Sequence, residues 1–393
     1  MNSQHLLGQL SDLHQMMVEL VESIPEQEAY HNYHPDLAPL AWYLGRSTYL
    51  ETYWLREIVQ GDDSMTARVR HIFVSGPPVT PEQTTGIPPK EHLLNWAMEL
   101  QDENIRRLAN PGLLPQHPLR NEQRLELLIT QEHALLYEQM LMVLTQRQIQ
   151  RTQGYRVQKP LQASPPSVDL IDMQQGHYRV GARHDPAACD NEYPPQIVNL
   201  SSFRIDRYLT SNASYLAFLQ SEGYQNRDLW DQTGWTWRQQ CLPHPDHWRQ
   251  DEAGNWFAIG LNGPFDLLAE EPVTGINKYE ATAYARWVSG LGGALTGAVP
   301  QHEYQWEVAV RTRAITGHGR ALEWCSNRFH PYDGYQPFEW PEGQTREFDD
   351  RHQSLRGASI HTPRPLRRST FRRRALPESR YLFAGLRLVF PPN

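Results

Sequence analysis

The first 150 residues alternate apolar and polar positions with the 3.6-residue period of amphipathic helices. Leu6, Leu7, Leu10, Leu13, Met17, Leu20 and Val21 fall on one face near the N-terminus. A second helix is expected from Pro39, since proline is tolerated in a first turn, to about Ile58. A third is expected over 91–108 and a fourth over 119–150. The fourth carries an apolar stripe of Leu125, Ile129, Leu136, Met140 and Val143, which Glu132 interrupts. A loop rich in Pro, Gly and Thr at 76–89 separates the second helix from the third. Four amphipathic helices with one longer connection predict a four-helix bundle.

This periodicity ends after Arg151. Residues 158–168 carry prolines and small polar side chains, as an interdomain linker would. Beyond them lie short strand-like pieces, many Trp, Tyr and Gly residues, and helices expected only at 213–221, 278–288 and 301–312. The pattern predicts an α+β chain. A bundle at 1–155 is followed by a linker at 156–170 and a loop-heavy α+β domain at 171–393.

Composition narrows the function classes. The net charge of −8 argues against general nucleic-acid binding, which needs a basic excess. No apolar run approaches the roughly 20 residues of a membrane span, and residues 1–20 lack a basic-then-apolar signal pattern. Cys189, Cys241 and Cys325 are too few and too widely spaced for a disulfide framework or a zinc site. A cytoplasmic protein is expected.

The second half carries a series of phrases in order. They are Gly176-His177-Tyr178-Arg179-Val180-Gly181, Asp190-Asn191-Glu192-Tyr193-Pro194, Phe203-Arg204-Ile205-Asp206-Arg207-Tyr208 and Gly234-Trp235-Thr236-Trp237. Tyr279-Glu280-Ala281, Leu322-Glu323-Trp324, Leu355-Arg356-Gly357-Ala358-Ser359 and Phe383-Ala384-Gly385-Leu386-Arg387-Leu388 follow. This series resembles the formylglycine-generating-enzyme (sulfatase-modifying factor) domain, which has a C-type-lectin-like fold. Gly234 to Trp237 and the stretch 329–335 resemble the branch found in hercynine oxygenases, the ergothioneine-type sulfoxide synthases. There the domain follows a DinB-like four-helix bundle, as it is expected to here. Formylglycine generation itself uses a cysteine pair after the Arg-Gly-Gly-Ser phrase, and residues 359–374 contain no thiol.

The resemblance implies an iron(II) site on three bundle histidines: one in a Trp-His-x-Gly-His phrase and two in H-x-x-x-H-x-E on the last helix. Here the first phrase reads Trp42-Tyr43-Leu44-Gly45-Arg46, which places Arg46, a permanent cation, at the ligand position. The second places Glu132 and Leu136 there; another register gives Arg120 and Arg124. Neither register supplies a histidine, so no metal is expected at these positions. An ion pair between Arg46 and Glu132 would replace the metal as a cross-link; alternatively both side chains snorkel outward. His133 is read first as a structural or surface histidine. The other reading makes it one of a displaced ligand set, with Glu132 and a loop histidine from among His31, His34 and His117.

The family's substrate pocket maps onto Tyr332, Tyr335, Arg372, Arg373 and Arg374, with Trp42 and His133 from the bundle. Arg364, Arg367 and Arg368 make this end strongly cationic. One reading is an anion-binding pocket; the other is solvated arginines paired with Glu342, Glu347, Asp349 and Asp350. The chain is therefore expected to be a pseudoenzyme with no cofactor. It would bind a small anion or a protein partner in the interdomain cleft, and neither nucleic acid nor membrane. The alternative is an active nonheme iron(II) oxidoreductase that forms a C–S bond through displaced ligands.

Overall fold

The computed structural model describes residues 3–339 and 348–392. It divides into two compact units, Met1–Gln150 with Pro363–Leu366 and Arg151–Thr362 with Arg367–Asn393. The first is helical and the second contains the sheets, a mixed α+β architecture.

In the helical unit, α1 spans Ser3–Ser23, the short α2 Glu26–Ala29 and α3 Leu40–Thr52. The short helices α4 (Arg70–Phe73) and α5 (Pro81–Thr85) precede α6 (Lys90–Ala109) and α7 (Arg124–Arg151). The four long helices correspond to the four expected from periodicity. α3 continues into a π-helical segment, Tyr53–Val59. The last helix starts later than expected, because Asn121 is extended and Glu122 has φ of 54°, which breaks the helix after a short 3-10 turn. The expected loop at 76–89 contains α5, closed by a capping box between Thr80 and Gln83.

α1 buries Leu6, Leu10, Leu13, His14, Met17 and Val21, one stripe of an amphipathic helix. α3 is different, for all thirteen of its residues are buried. Part of its contact with α6 is polar: Gln101 donates to Thr48 Oγ1 (3.4 Å) and Asn104 to Thr52 Oγ1 (3.3 Å). On another face the α4 segment docks against Gly45. Trp42 Nε1 donates to the Ile72 carbonyl (3.0 Å), and Arg46 donates to the Phe73 carbonyl. A Cβ at position 45 would lie only 2.3 Å from the Phe73 ring. That ring is itself buried and held by Trp42, Tyr49 and Trp96.

The second unit has short strands. One four-stranded sheet runs Leu170–Met173, Phe203–Asp206, Leu388–Phe390, Val299–Pro300; the other runs Arg373–Ala375, Gln353–Ala358, Ala321–Arg328, Ala384–Gly385. Two- and three-stranded sheets accompany them. Its helices are α8 (Asn212–Gln220), α9 (Gln232–Arg238), α10 (Lys278–Gly290) and α11 (Glu303–Arg311). Three match the expected helices, whereas α9, built on Gly234 to Trp237, was not anticipated. Asp231 caps it by accepting from Gly234 N (2.6 Å). The segment expected as a linker makes hydrogen bonds within this unit. Asp266 accepts from the amides of Gln158 (3.1 Å) and Lys159 (2.8 Å), and Ser164 N donates to Ala213 O (3.1 Å).

Gly45→Ala is expected to destabilise the helical unit by about 1–3 kcal/mol through overpacking against Phe73. Denaturant unfolding measures this, and a neutral result would show that the α3–α4 contact yields.

Candidate metal centre and the buried arginine pairs

The positions that the resemblance assigns to iron are all buried but do not form a ligand set. Arg46 is 8% exposed, Glu132 3% and Leu136 6%, so neither charged side chain snorkels to solvent. The Arg46 guanidinium donates to the Phe73 carbonyl and lies 5.4 Å from the centroid of the Trp42 ring. A cation, a carboxylate and an isobutyl group cannot supply the neutral nitrogen donors of a nonheme iron centre, so the family's iron does not fit these residues.

A different donor set converges inside the same unit. His14 on α1, Glu51 on α3 and His133 on α7 bring one ligand atom each within 4.8 Å of one another. His14 Nε2 lies 2.7 Å from Glu51 Oε2, and His133 Nε2 lies 3.2 Å from the same oxygen. The two imidazole centroids are 4.9 Å apart. The side chains of Glu51 and His133 are sealed from solvent, and His14 is 9% exposed. Burial, the largest influence, works to raise the Glu51 carboxyl, but the two imidazoles outweigh it and hold it near 2.

His133 is thus buried rather than on the surface, and among the described residues His14 and Glu51 converge on it. His34 sits beside Asp36, and His117 caps a 3-10 turn by accepting from Leu119 N (3.2 Å). Sequence reasoning missed His14 and Glu51. A signal existed for His14, which fills the inward position between Leu10 and Met17 on the α1 stripe. Glu51 gave none, because a wholly buried helix has no polar face to compare.

The expected pocket residues are largely structural. Trp42 is a core side chain. Arg372 is 2% exposed, and its Nε and Nη2 bind Glu303 (both 2.8 Å). Nη1 donates to Asn191 O and Nη2 also to His330 O (both 2.7 Å). Four donor contacts leave its fork little capacity for an anion. Tyr332 is buried with its ring centroid 4.1 Å from the Arg372 guanidinium carbon, and Tyr335 donates to Asp190 Oδ2 (2.8 Å). Arg368 forks onto Glu192, which is fully buried, and Arg367 onto the carbonyls of Ser359, Ile360 and Thr362. Neither reading of the cationic segment anticipated these partners. Asp349 binds His352 and Asp350 lies near Arg328 and His330, while Glu342 and Glu347 fall outside the described residues. Arg373 and Arg374 lie on the strand Arg373–Ala375, half-buried.

Two cavities in the second unit involve residues the sequence did not single out. One, of about 520 Å³, is lined by Lys278, Asp231, Arg328, Asp350 and Glu378. Lys278 Nζ donates to Thr282 Oγ1 (2.8 Å), and burial pushes its amine down to about 8. The other, of about 700 Å³, includes Asp206, Ser214, Glu271, Tyr284 and Arg320. Burial raises the Asp206 carboxyl to about 6.

Comparison with known proteins agrees with this architecture. Residues 157–319 match the family described as "Sulfatase-modifying factor enzyme 1-like domain". That stretch resembles this domain family, and the chain is also similar to hercynine oxygenases. It is 26% identical over 256 residues to the hercynine oxygenase of Mycobacterium tuberculosis, covering 54% of this chain and 58% of that protein. The corresponding figures for the Mycolicibacterium thermoresistibile hercynine oxygenase are 27% over 249 residues, 52% and 54%. The formylglycine-generating enzyme of Thermomonospora curvata is 29% identical over 157 residues, 36% of this chain and 48% of that enzyme. The chain therefore spans a little over half the length of the hercynine oxygenases it matches. No described helix is long and apolar enough to cross a membrane.

The Glu303 carboxyl gives a pH prediction. Burial acts most strongly and raises it, but Arg372 and then Arg356 bring it from 4.5 to about 2. A carboxyl depressed by folding contributes stability that is complete above about pH 4.5 and is lost as pH falls towards 2. Acid titration of unfolding stability is expected to fall over that window, with a shallower slope in Glu303→Gln. At neutral pH, Arg372→Ala is expected to cost about 3–5 kcal/mol by breaking its buried pair with Glu303. Equal acid slopes in wild type and Glu303→Gln would remove Glu303 from this account.

Proposed function

We infer that this chain is a diverged relative of the hercynine oxygenases that holds no iron at the positions the family uses. It acts as a pseudoenzyme that binds a small molecule or a protein partner without oxidising it. The observation supporting this reading is the Arg46 guanidinium, buried and anchored to the Phe73 carbonyl and the Trp42 face where the resemblance calls for an iron-binding imidazole. Arginine stays protonated and offers no lone pair to a metal. Leu136 removes a second ligand, and one carboxylate at Glu132 is a poor iron site by itself.

A second reading, an iron(II) oxidoreductase that forms a C–S bond through displaced ligands, draws on the convergence of His14, Glu51 and His133. Against it, oxygen and substrate need open coordination positions at a reachable metal, and these side chains are enclosed.

Oxygen uptake decides between them. Protein reconstituted anaerobically with Fe(II) is given hercynine, a thiol donor and oxygen. Consumption no faster than in the protein-free control is expected. Turnover with a sulfoxide product would overturn the pseudoenzyme reading.

A further inference from the structure

Glu51 poses a problem of electrostatics that its neighbours leave half solved. Its Oε2 faces two imidazole nitrogens, whereas Oε1 is buried without a hydrogen-bond partner. Such an orphaned buried charge is costly. His133 Nδ1 lies 3.0 Å from the Ile129 carbonyl oxygen, which can only accept, so Nδ1 carries the proton. A neutral His133 ring then presents an Nε2 lone pair to a carboxylate oxygen 3.2 Å away. Two lone pairs repel at that distance unless a positive charge lies between them. An extra proton on Nε2 would answer Oε2 alone and leave Oε1 bare.

We propose that His14, Glu51 and His133 bind one divalent cation of the zinc class, forming a closed structural site that links α1, α3 and α7. Two imidazole Nε2 atoms and the Glu51 carboxylate are donors of the types that zinc takes, and a chelating carboxylate uses both of its oxygens. This arrangement engages the orphaned Oε1. The Nδ1–H to Ile129 contact is the kind of second hydrogen bond that orients a ligating histidine. Metal–ligand distances of about 2.0–2.2 Å place donors roughly 3.2–3.5 Å apart. The 2.7 Å His14–Glu51 separation therefore has to open by only about half an ångström, within reach of small side-chain rotations. The enclosure that disfavours oxygen chemistry suits a structural ion. The site shares no residue with Arg46, Glu132 and Leu136, so it stands independently of the pseudoenzyme reading.

The test uses the full chain, stripped with chelator and titrated with Co(II), then Zn(II). One Co(II) per chain is expected, with the visible d–d bands of a four-coordinate ion, bleached by Zn(II), and a higher Tm with metal than with EDTA. Glu51→Gln and His133→Gln are expected to lose stoichiometric binding, while the exposed-histidine control His5→Gln/His92→Gln binds as wild type. If a site variant does not fold, the metal dependence of the wild-type Tm still decides. A folded wild-type chain that takes up no Co(II), takes it up only through His5 and His92, or melts identically in zinc and EDTA overturns the site, as does tight binding by Glu51→Gln. Oxygen consumption by the iron-loaded protein would refute the pseudoenzyme reading alone, so the two failures are distinguishable.

Discussion

A carboxylate taken out of water needs a cation or a set of donors around it, and the second unit is organised by that requirement. Its strands are two to eight residues long, too short for the ladders alone to fix the long irregular segments between them. Buried guanidinium–carboxylate pairs do so instead. Arg387 forks onto Glu323 (2.9 and 3.1 Å) and also donates to the carbonyls of Asp206 (3.1 Å) and Thr316 (3.0 Å). Arg356 binds Glu307 and the carbonyls of Ser369 and Thr370; Arg372 binds Glu303. Each planar fork reaches a carboxylate and loop carbonyls together, which a lysine could not match geometrically. Replacing such pairs by apolar residues need not weaken the fold, but breaking one strands a charge.

The same requirement takes another form in the helical unit. There the buried Glu51 is answered by imidazoles, and the buried Arg46 by a carbonyl and an indole face. The guanidinium stands where the family resemblance calls for a metal ligand, and the imidazoles stand on other helices. The donor set of His14, Glu51 and His133 is enclosed by α1, α3 and α7.

These pairs also explain what the ordered phrases encode. Glu192, Glu280, Glu323, Arg356 and Arg387 are buried charged members of the phrases that carry the resemblance, and each has an ionic partner. Glu323 and Arg387 partner one another across 64 positions. Glu280 meets Arg380 (3.2 Å), and Glu192 meets Arg368. The phrases were legible as family markers because they are local strings. Their function as paired charges was not, because one member of a pair says nothing about which distant segment supplies the other. For this reason Arg368 and Arg372 read as an exposed cationic end when the fold has buried them on Glu192 and Glu303.

The sequence by itself determined the helical period of the first 150 residues, the change of texture near 151 and the likeness of the second half to the sulfatase-modifying factor domain. It also determined that Arg46, Glu132 and Leu136 cannot be three imidazoles. These are properties of single residues or of neighbours along the chain. The tertiary structure decided the late start of α7, the anchoring of Arg46 to α4, and the meeting of His14, Glu51 and His133. His14 and Glu51 are 37 positions apart, and His133 comes from a third helix. α3 is buried on every side, so periodicity could not show which of its side chains faces which neighbour. Only the packing of three helices in space brings those donors to one point.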